Sequence, residues 1–222
     1  MGRAPRADEA GCIYHALNRG NARHDIFFKD ADFEAFERIV AEALERCQVD
    51  LICYQWMENH WHMVLSPRVD GGMSEFVGWL TLTHTQRYHA HHGTTGYGHV
   101  YQGRYRSFPV QDDAHFHTVC RYVERNALTA NKVKRAENYR WGSLYNWLGG
   151  ESPIELSKWP VRRLPRWLDR VNEPLTEKEL KAVRHSVNRG KPYGDKKWTS
   201  ATIKKHGLES TISPRGRPRK LA

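Results

Sequence analysis

Apolar and polar residues alternate over residues 12–18, Cys-Ile-Tyr-His-Ala-Leu-Asn, the period-2 pattern of a strand, and an Arg19-Gly20-Asn21 turn cluster ends it. From Asp30, a candidate N-cap, the period lengthens to that of a helix, with Phe33, Phe36, Val40, Ala43, Leu44 and Cys47 on one face. Residues 54–66, YQWMENHWHMVLS, then predict a tight hairpin whose strands are joined by Glu58-Asn59 and whose second strand stops at Pro67. A Gly71-Gly72 loop precedes a second helix, capped by Ser74, running to about His91 and ending at Gly93, with Phe76, Leu80, Thr83, Arg87 and Tyr88 marking its inner side and flank. Residues 100–110, VYQGRYRSFPV, predict a fourth strand with Gly103 as a bulge or close backbone approach. Asp112 or Asp113 caps a third helix over 114–128. Strand, helix, strand, strand, helix, strand, helix is the split βαβ order of an α+β, ferredoxin-like antiparallel sheet with helices.

Beyond Trp147 the chain turns Pro-, Arg- and Trp-rich, then resumes with a capping box at Thr176–Glu179 and a short helix around Trp198–His206 that Gly207 can stop. We therefore expect a domain over residues 1–149 and a basic, partly helical extension over 150–222. The formal charge of +10 favours a polyanionic partner, and most of it lies between Arg189 and Ala222, where ten Lys/Arg face two Asp/Glu. Cys12, Cys47, Cys53 and Cys120 lack C-x-x-C spacing, which argues against a zinc knuckle or disulfide framework and for a reducing compartment. The charged start of the chain has no apolar h-region and no stretch reaches bilayer-spanning length, so a cytoplasmic, nucleoid-associated location is expected, without a membrane partner.

Candidate chemistry centres on the hairpin. His60 and His62 are two apart on a strand, so they share a face and can share a metal ion, while Trp61 points the other way. With 13 His, chance alone produces roughly one H-x-H. His89/His91 and His115/His117 lie in predicted helices, where residues two apart do not face each other; the hairpin pair can equally be packed or surface histidines. On the third helix Phe116, Val119, Cys120, Val123 and Ala127 form the buried face, and His115, Tyr122 and Asn126 form a stripe along its edge. Tyr122 and Asn126, at i and i+4, are either a half-buried hydrogen-bonding pair or a nucleophile beside an oxygen ligand. Tyr101, Arg104, Tyr105 and Arg106 interleave π faces with positive charge, which suits stacked bases and phosphates or, alternatively, sheet packing. Near the end, Pro214-Arg215-Gly216-Arg217-Pro218 looks like an AT-hook, whose two arginines fit a narrow minor groove; a nonspecific counter-charge is the other reading.

Taken in order, M-E-N-H-W-H (57–62), V-Y-Q-G-R-Y-R-S (100–107), H-x5-R-Y-V-E-x-N (115–126), Y-R-W-G-S (139–143), G-L-E-S-T (207–211) and P-R-G-R-P-R-K (214–220) resemble the single-tyrosine HUH transposases, most closely their REP-associated tyrosine transposase branch. The resemblance spans nearly the whole chain. Glu58 stands where a proline is commoner, and Ala127 where the branch usually has proline. It implies an RRM-like α/β sandwich, His60, His62 and Asn126 as ligands of a divalent metal, Mg²⁺ or Mn²⁺, and Tyr122 as the nucleophile that nicks and rejoins single-stranded DNA bearing a foldback hairpin, as monomer or homodimer. His115, on the same stripe, is the candidate acceptor for the phenol proton. Two other readings are a noncatalytic RRM-like module stacking bases on Tyr101 and Tyr105, and a phosphodiesterase in which water attacks.

Overall fold

The computed structural model of the protein describes residues 6–213. Four strands, β1 (Ile13–Arg19), β2 (Val49–Met57), β3 (His60–Pro67) and β4 (Arg106–Val110), pair antiparallel in the order β2-β3-β1-β4. With α1 (Asp30–Arg46) between β1 and β2 and α2 (Gly72–His92) between β3 and β4, this is the expected ferredoxin-like order. The hairpin closes through two residues, Met57 pairing His60. Its turn is pinned from outside: Ile26 N–H and Phe27 N–H donate to the Glu58 carbonyl, and Gly20 N–H to that of Asn59. Gly20 has to be glycine here, since a Cβ would stand 2.1 Å from the His24 carbonyl oxygen.

Both faces of the sheet are buried. On one, Tyr14 and Ala16 of β1, Tyr54 and Trp56 of β2 and Trp61, Met63 and Leu65 of β3 pack against Phe36, Val40 and Ala43 of α1 and Phe76, Val77 and Leu80 of α2. On the other, Ile13, Val64, Phe108 and Val110 meet Phe116, Val119, Cys120 and Val123 of α3 (Ala114–Glu124). A bulge between Leu51 and Cys53 puts Ile52 and Cys53 together on this second face.

Four local expectations change. Asp30 opens α1 rather than capping it, since Lys29 holds the cap position and its N–H donates to Asp32 Oδ2 at 3.2 Å. The fourth strand is short: Tyr101 makes one bridge, to Gly20, and regular pairing begins only at Arg106. Ser74 does not cap α2, because the Asp8 carboxylate from the chain start accepts from Met73 N–H (3.0 Å) and Ser74 N–H (2.7 Å), leaving the Ser74 hydroxyl to meet that of Tyr105 at 3.0 Å. The third helix ends at Glu124, and after Arg125 a short α4 (Asn126–Thr129) begins.

The remaining described residues pack back on the sheet through α5 (Ser143–Trp147), α6 (Trp167–Asn172), α7 (Glu177–Arg189) and α8 (Lys196–His206). Ile154, Ile203 and Leu208 enter the first core, and Trp167, Val171, Val183 and Tyr193 the second. The Thr176 capping box is present, with Glu179 N–H donating to Thr176 Oγ1 at 3.2 Å and Thr176 N–H to Glu179 Oε2 at 2.8 Å. The AT-hook-like motif, with Arg215 and Arg217, lies outside the described residues. Among the described residues no helix is long and apolar enough to cross a membrane.

Buried Glu37 of α1 accepts hydrogen bonds at 3.3 Å from Tyr54 Oη and Trp56 Nε1, yet burial outweighs these bonds and raises its pKa. A raised carboxyl pKa contributes stability below the unfolded-state value and loses it as pH rises through the folded one. Glu37→Gln should therefore gain thermal stability relative to the native chain between pH 4 and 7, measured by paired melting curves; a pH-independent difference would contradict this.

Candidate active site

β1 and β3 are neighbours, so the second face of the sheet carries His15, His60 and His62 together. His62 is buried, and its Nδ1 lies 2.9 Å from Nε2 of His15, which is fully buried. The rings of His60 and His62 stand 5.0 Å apart at 89°. His60 Nδ1 meets Asn59 Oδ1 at 2.6 Å, and the Asn126 side chain is near enough to His60 to favour its protonated form slightly. Tyr122, one turn before Asn126, lies edge-on to His62 with ring centroids 5.8 Å apart and to His15 at 6.3 Å. Residues from β3, α3 and α4 that are 60 or more positions apart in sequence thus converge at one end of the sheet.

Burial sets the protonation of this cluster. It lowers the pKa of His15 to about 3 and that of His60 to about 4, the latter with help from the Arg19 charge, and it holds His62 well below the ordinary imidazole range. Neutral imidazoles keep a lone pair for a cation. The His15 contact occupies Nδ1 of His62 and leaves Nε2; the Asn59 contact occupies Nδ1 of His60 and leaves its Nε2. For His62 Nε2 to offer a lone pair, its Nδ1–H must donate to His15 Nε2, which puts the His15 proton on Nδ1. That atom is buried and has no partner among the described residues. The donor set of two imidazoles and an amide oxygen fits a divalent ion such as Mn²⁺. Burial raises the Tyr122 phenol, with the Arg184 and Arg19 guanidiniums pulling it partly back.

The other predicted residues fall elsewhere. His115 sits two turns before Tyr122, roughly 10 Å along the helix, with Nδ1 2.7 Å from Asp113 Oδ1 and its ring against Tyr193; it is not beside the phenol. Tyr101 and Tyr105 are buried rather than displayed for stacking. Tyr101 Oη lies 2.7 Å from His84 Nδ1 and accepts from Trp61 Nε1 at 3.3 Å, while the Tyr105 ring lies under the Arg6 guanidinium. The interleaved pattern splits there, because Arg104 and Arg106 are exposed and line a cleft of about 140 Å³ with Arg19 and Asn188.

Residues outside the predicted set hold the Tyr122 helix. Arg121 Nε donates to the Arg170 carbonyl at 2.9 Å and Arg125 Nη1 to that of Val171 at 2.9 Å, so α3 is tied to the carbonyl end of α6. Between them, buried Glu124 accepts from Trp167 Nε1 at 2.7 Å and from Ser143 Oγ at 3.0 Å. The Y-R-W-G-S segment is likewise structural: Tyr139 Oη donates to the Trp56 carbonyl and Trp141 stacks on Phe33 at 4.8 Å. His15 was within reach of sequence reasoning, since strand alternation plus β1–β3 adjacency puts it on the face of His62. Arg19, at the end of the same strand, carries no such signal beyond its place in the turn cluster.

The fold is shared with a solved REP-associated tyrosine transposase bound to a REP hairpin, which superposes with a TM-score of 0.56 at 10% identity, covering 72% of this chain and 96% of its own. The sequence matches the family described as IS200-like transposases over residues 9–126, more than half of the chain, and the protein belongs to that family of DNA-cleaving transposases. A putative transposase from Deinococcus radiodurans R1 aligns at 17% identity over 56% of this chain and 95% of its own, with a TM-score of 0.40. No curated protein matches the sequence.

Replacing Tyr101 by Phe strands His84 Nδ1 and Trp61 Nε1 in the core. It should cost about 1–3 kcal/mol, on the order of 2–10 °C in Tm, and leave DNA affinity unchanged in a gel-shift titration. An unaltered Tm with weakened binding would return Tyr101 to the role of stacking platform.

Proposed function

We propose that the protein is a metal-dependent DNA strand nicking and joining enzyme of the single-tyrosine HUH type, acting on single-stranded or REP-like hairpin DNA. The observation that supports this best is the convergence of His60, His62, Asn126 and Tyr122 at one end of the sheet. A divalent cation held by His60, His62 and Asn126 would neutralise the scissile phosphate and polarise it toward attack. Tyr122 Oη attacks the phosphorus, a bond forms between them, and the bond from phosphorus to the 3′ oxygen breaks. The phenol gives up its proton, the 3′ oxygen leaves and becomes a hydroxyl, and the 5′ phosphate stays on Tyr122. Because the phosphodiester bond energy is kept in the phosphotyrosine, a second 3′-OH can reverse the step without ATP. Arg19 and Arg184, whose charges ease Tyr122 toward its ionised form, would hold the phosphate beside it.

Arg104 and Arg106 line the cleft that reaches Arg19 and offer a path for the DNA backbone. The extension beyond residue 149, with Arg215 and Arg217 at its end, would add groove or stem contacts. The REP hairpin bound by the structural relative is the substrate form this reading favours.

Two experiments test it. On a denaturing gel, end-labelled hairpin oligonucleotides from the gene's own flanks should give a Mn²⁺-dependent, EDTA-sensitive covalent band that Tyr122→Phe abolishes. Cleavage that survives Tyr122→Phe would assign the attack to water, and binding without cleavage in any metal would leave a binding module. His15→Phe keeps the ring against Phe108 but removes the acceptor that orients His62. It should weaken Mn²⁺ affinity roughly 10–100-fold, read by calorimetry or electron paramagnetic resonance; unchanged affinity would remove His15 from the site.

A further inference from the structure

Away from the β3 histidines, a second set of metal-ligating side chains meets where the first turn of α1 passes the last turn of α2. Asp32, His91 and His92 each offer a ligand atom there, and these atoms lie within 4.8 Å of one another. Donors around a single ion with bonds near 2.1 Å stand roughly 3–3.5 Å apart, a spacing reached by small side-chain rotations. Two of the three groups are already held. Asp32 Oδ2 accepts from Phe28 N–H at 2.8 Å and Lys29 N–H at 3.2 Å, which engages one carboxylate oxygen and orients the other. The His92 ring packs against Tyr88 at 4.3 Å and Phe28 at 5.5 Å, with His91 edge-on at 4.9 Å. The site also lies at the carbonyl end of α2, where the helix dipole favours a cation. Histidines in a last turn often do no more than complement that dipole. What separates this group is that a carboxylate from another helix completes it.

We propose that Asp32, His91 and His92 form a second metal site, separate from the cluster around His60 and His62, for a zinc-type first-row divalent ion. Two imidazoles and one carboxylate form a borderline-soft donor set, suited to Zn²⁺ or Co²⁺ and poorly matched to the all-oxygen shells of Mg²⁺ or Ca²⁺. Its role is structural: the ion ties the start of α1 to the end of α2, at the root of the segment that leads to Arg104 and Arg106.

The test uses the full chain, with Zn²⁺ as the probe in competition with a chromophoric chelator and Co²⁺ absorption as the reporter of nitrogen ligation. His60→Ala/His62→Ala removes the first cluster, and this variant should still bind one Zn²⁺ and melt higher with it. Adding His92→Asn or, independently, Asp32→Asn should weaken that ion by more than the roughly 10–100-fold expected for loss of a supporting contact and abolish the Zn²⁺-dependent rise in Tm. Retention of circular dichroism in either triple variant shows that the loss is one of ligands. A His60→Ala/His62→Ala chain that binds no Zn²⁺, or whose ion survives both further substitutions, overturns the proposal.

Discussion

A four-stranded sheet covered on both faces leaves its inward-pointing polar side chains only two options: partner one another or remain unsatisfied at a cost. At the end where β1, β2 and β3 run together, the face toward α3 carries His15, Gln55 and His62, all buried. His15 and His62 partner each other. That contact fixes the imidazole plane of His62, and the surrounding burial keeps both rings neutral. The pairing is partial, since His15 Nδ1 and Gln55 Nε2 stay buried without a partner among the described residues, and the Nε2 atoms of His60 and His62 are the lone pairs the cluster can offer a cation.

The helix over this face is held by two kinds of force. Its apolar side, Phe116, Val119, Cys120 and Val123, packs on the sheet and sets the distance. Its flank is set by charge, as Arg121 and Arg125 reach the last carbonyls of α6, and Glu124 accepts two hydrogen bonds from the same side. Dispersion and burial alone would let a helix slide or roll by a fraction of a turn. Directional bonds at Arg121, Glu124 and Arg125, flanking Tyr122 in sequence, restrict that freedom where it would move the phenol relative to His62.

Periodicity carried most of the fold. The alternation of β1, the helical faces of α1 and α3 and the Glu58-Asn59 turn depend on local rules and are legible without neighbours. So is the shared face of His60 and His62. What could not be read locally is which side of an aromatic residue meets water. Tyr101 and Tyr105 alternate with arginines as a nucleic-acid platform would, yet their partners, His84, Trp61, Ser74 and Arg6, come from distant elements and draw them inward. The same limit applies to Ser74, a good cap by sequence, which lost that role to Asp8, 66 residues earlier. His115 shares a helical stripe with Tyr122, yet the seven-residue spacing alone puts it roughly 10 Å away along the axis, so that separation was legible in the sequence. His15 becomes legible only once β1 and β3 are known to be neighbours, because its significance comes from the adjacent strand.

The anchoring of α3 by α6 also has a consequence for the order in which the protein can become competent during synthesis. The matched family segment ends at Asn126, whereas the carbonyls that receive Arg121 and Arg125 belong to Arg170 and Val171. While the ribosome has released only the sheet and its first helices, the tyrosine-bearing segment has its apolar seat but none of its flanking bonds. Contacts of such long sequence separation form late. The nascent chain therefore passes through a stage in which the sheet is complete and the Tyr122 phenol is not yet fixed relative to His62, so that the geometry around these two side chains arrives with the last third of the polypeptide rather than with the segment that bears Tyr122.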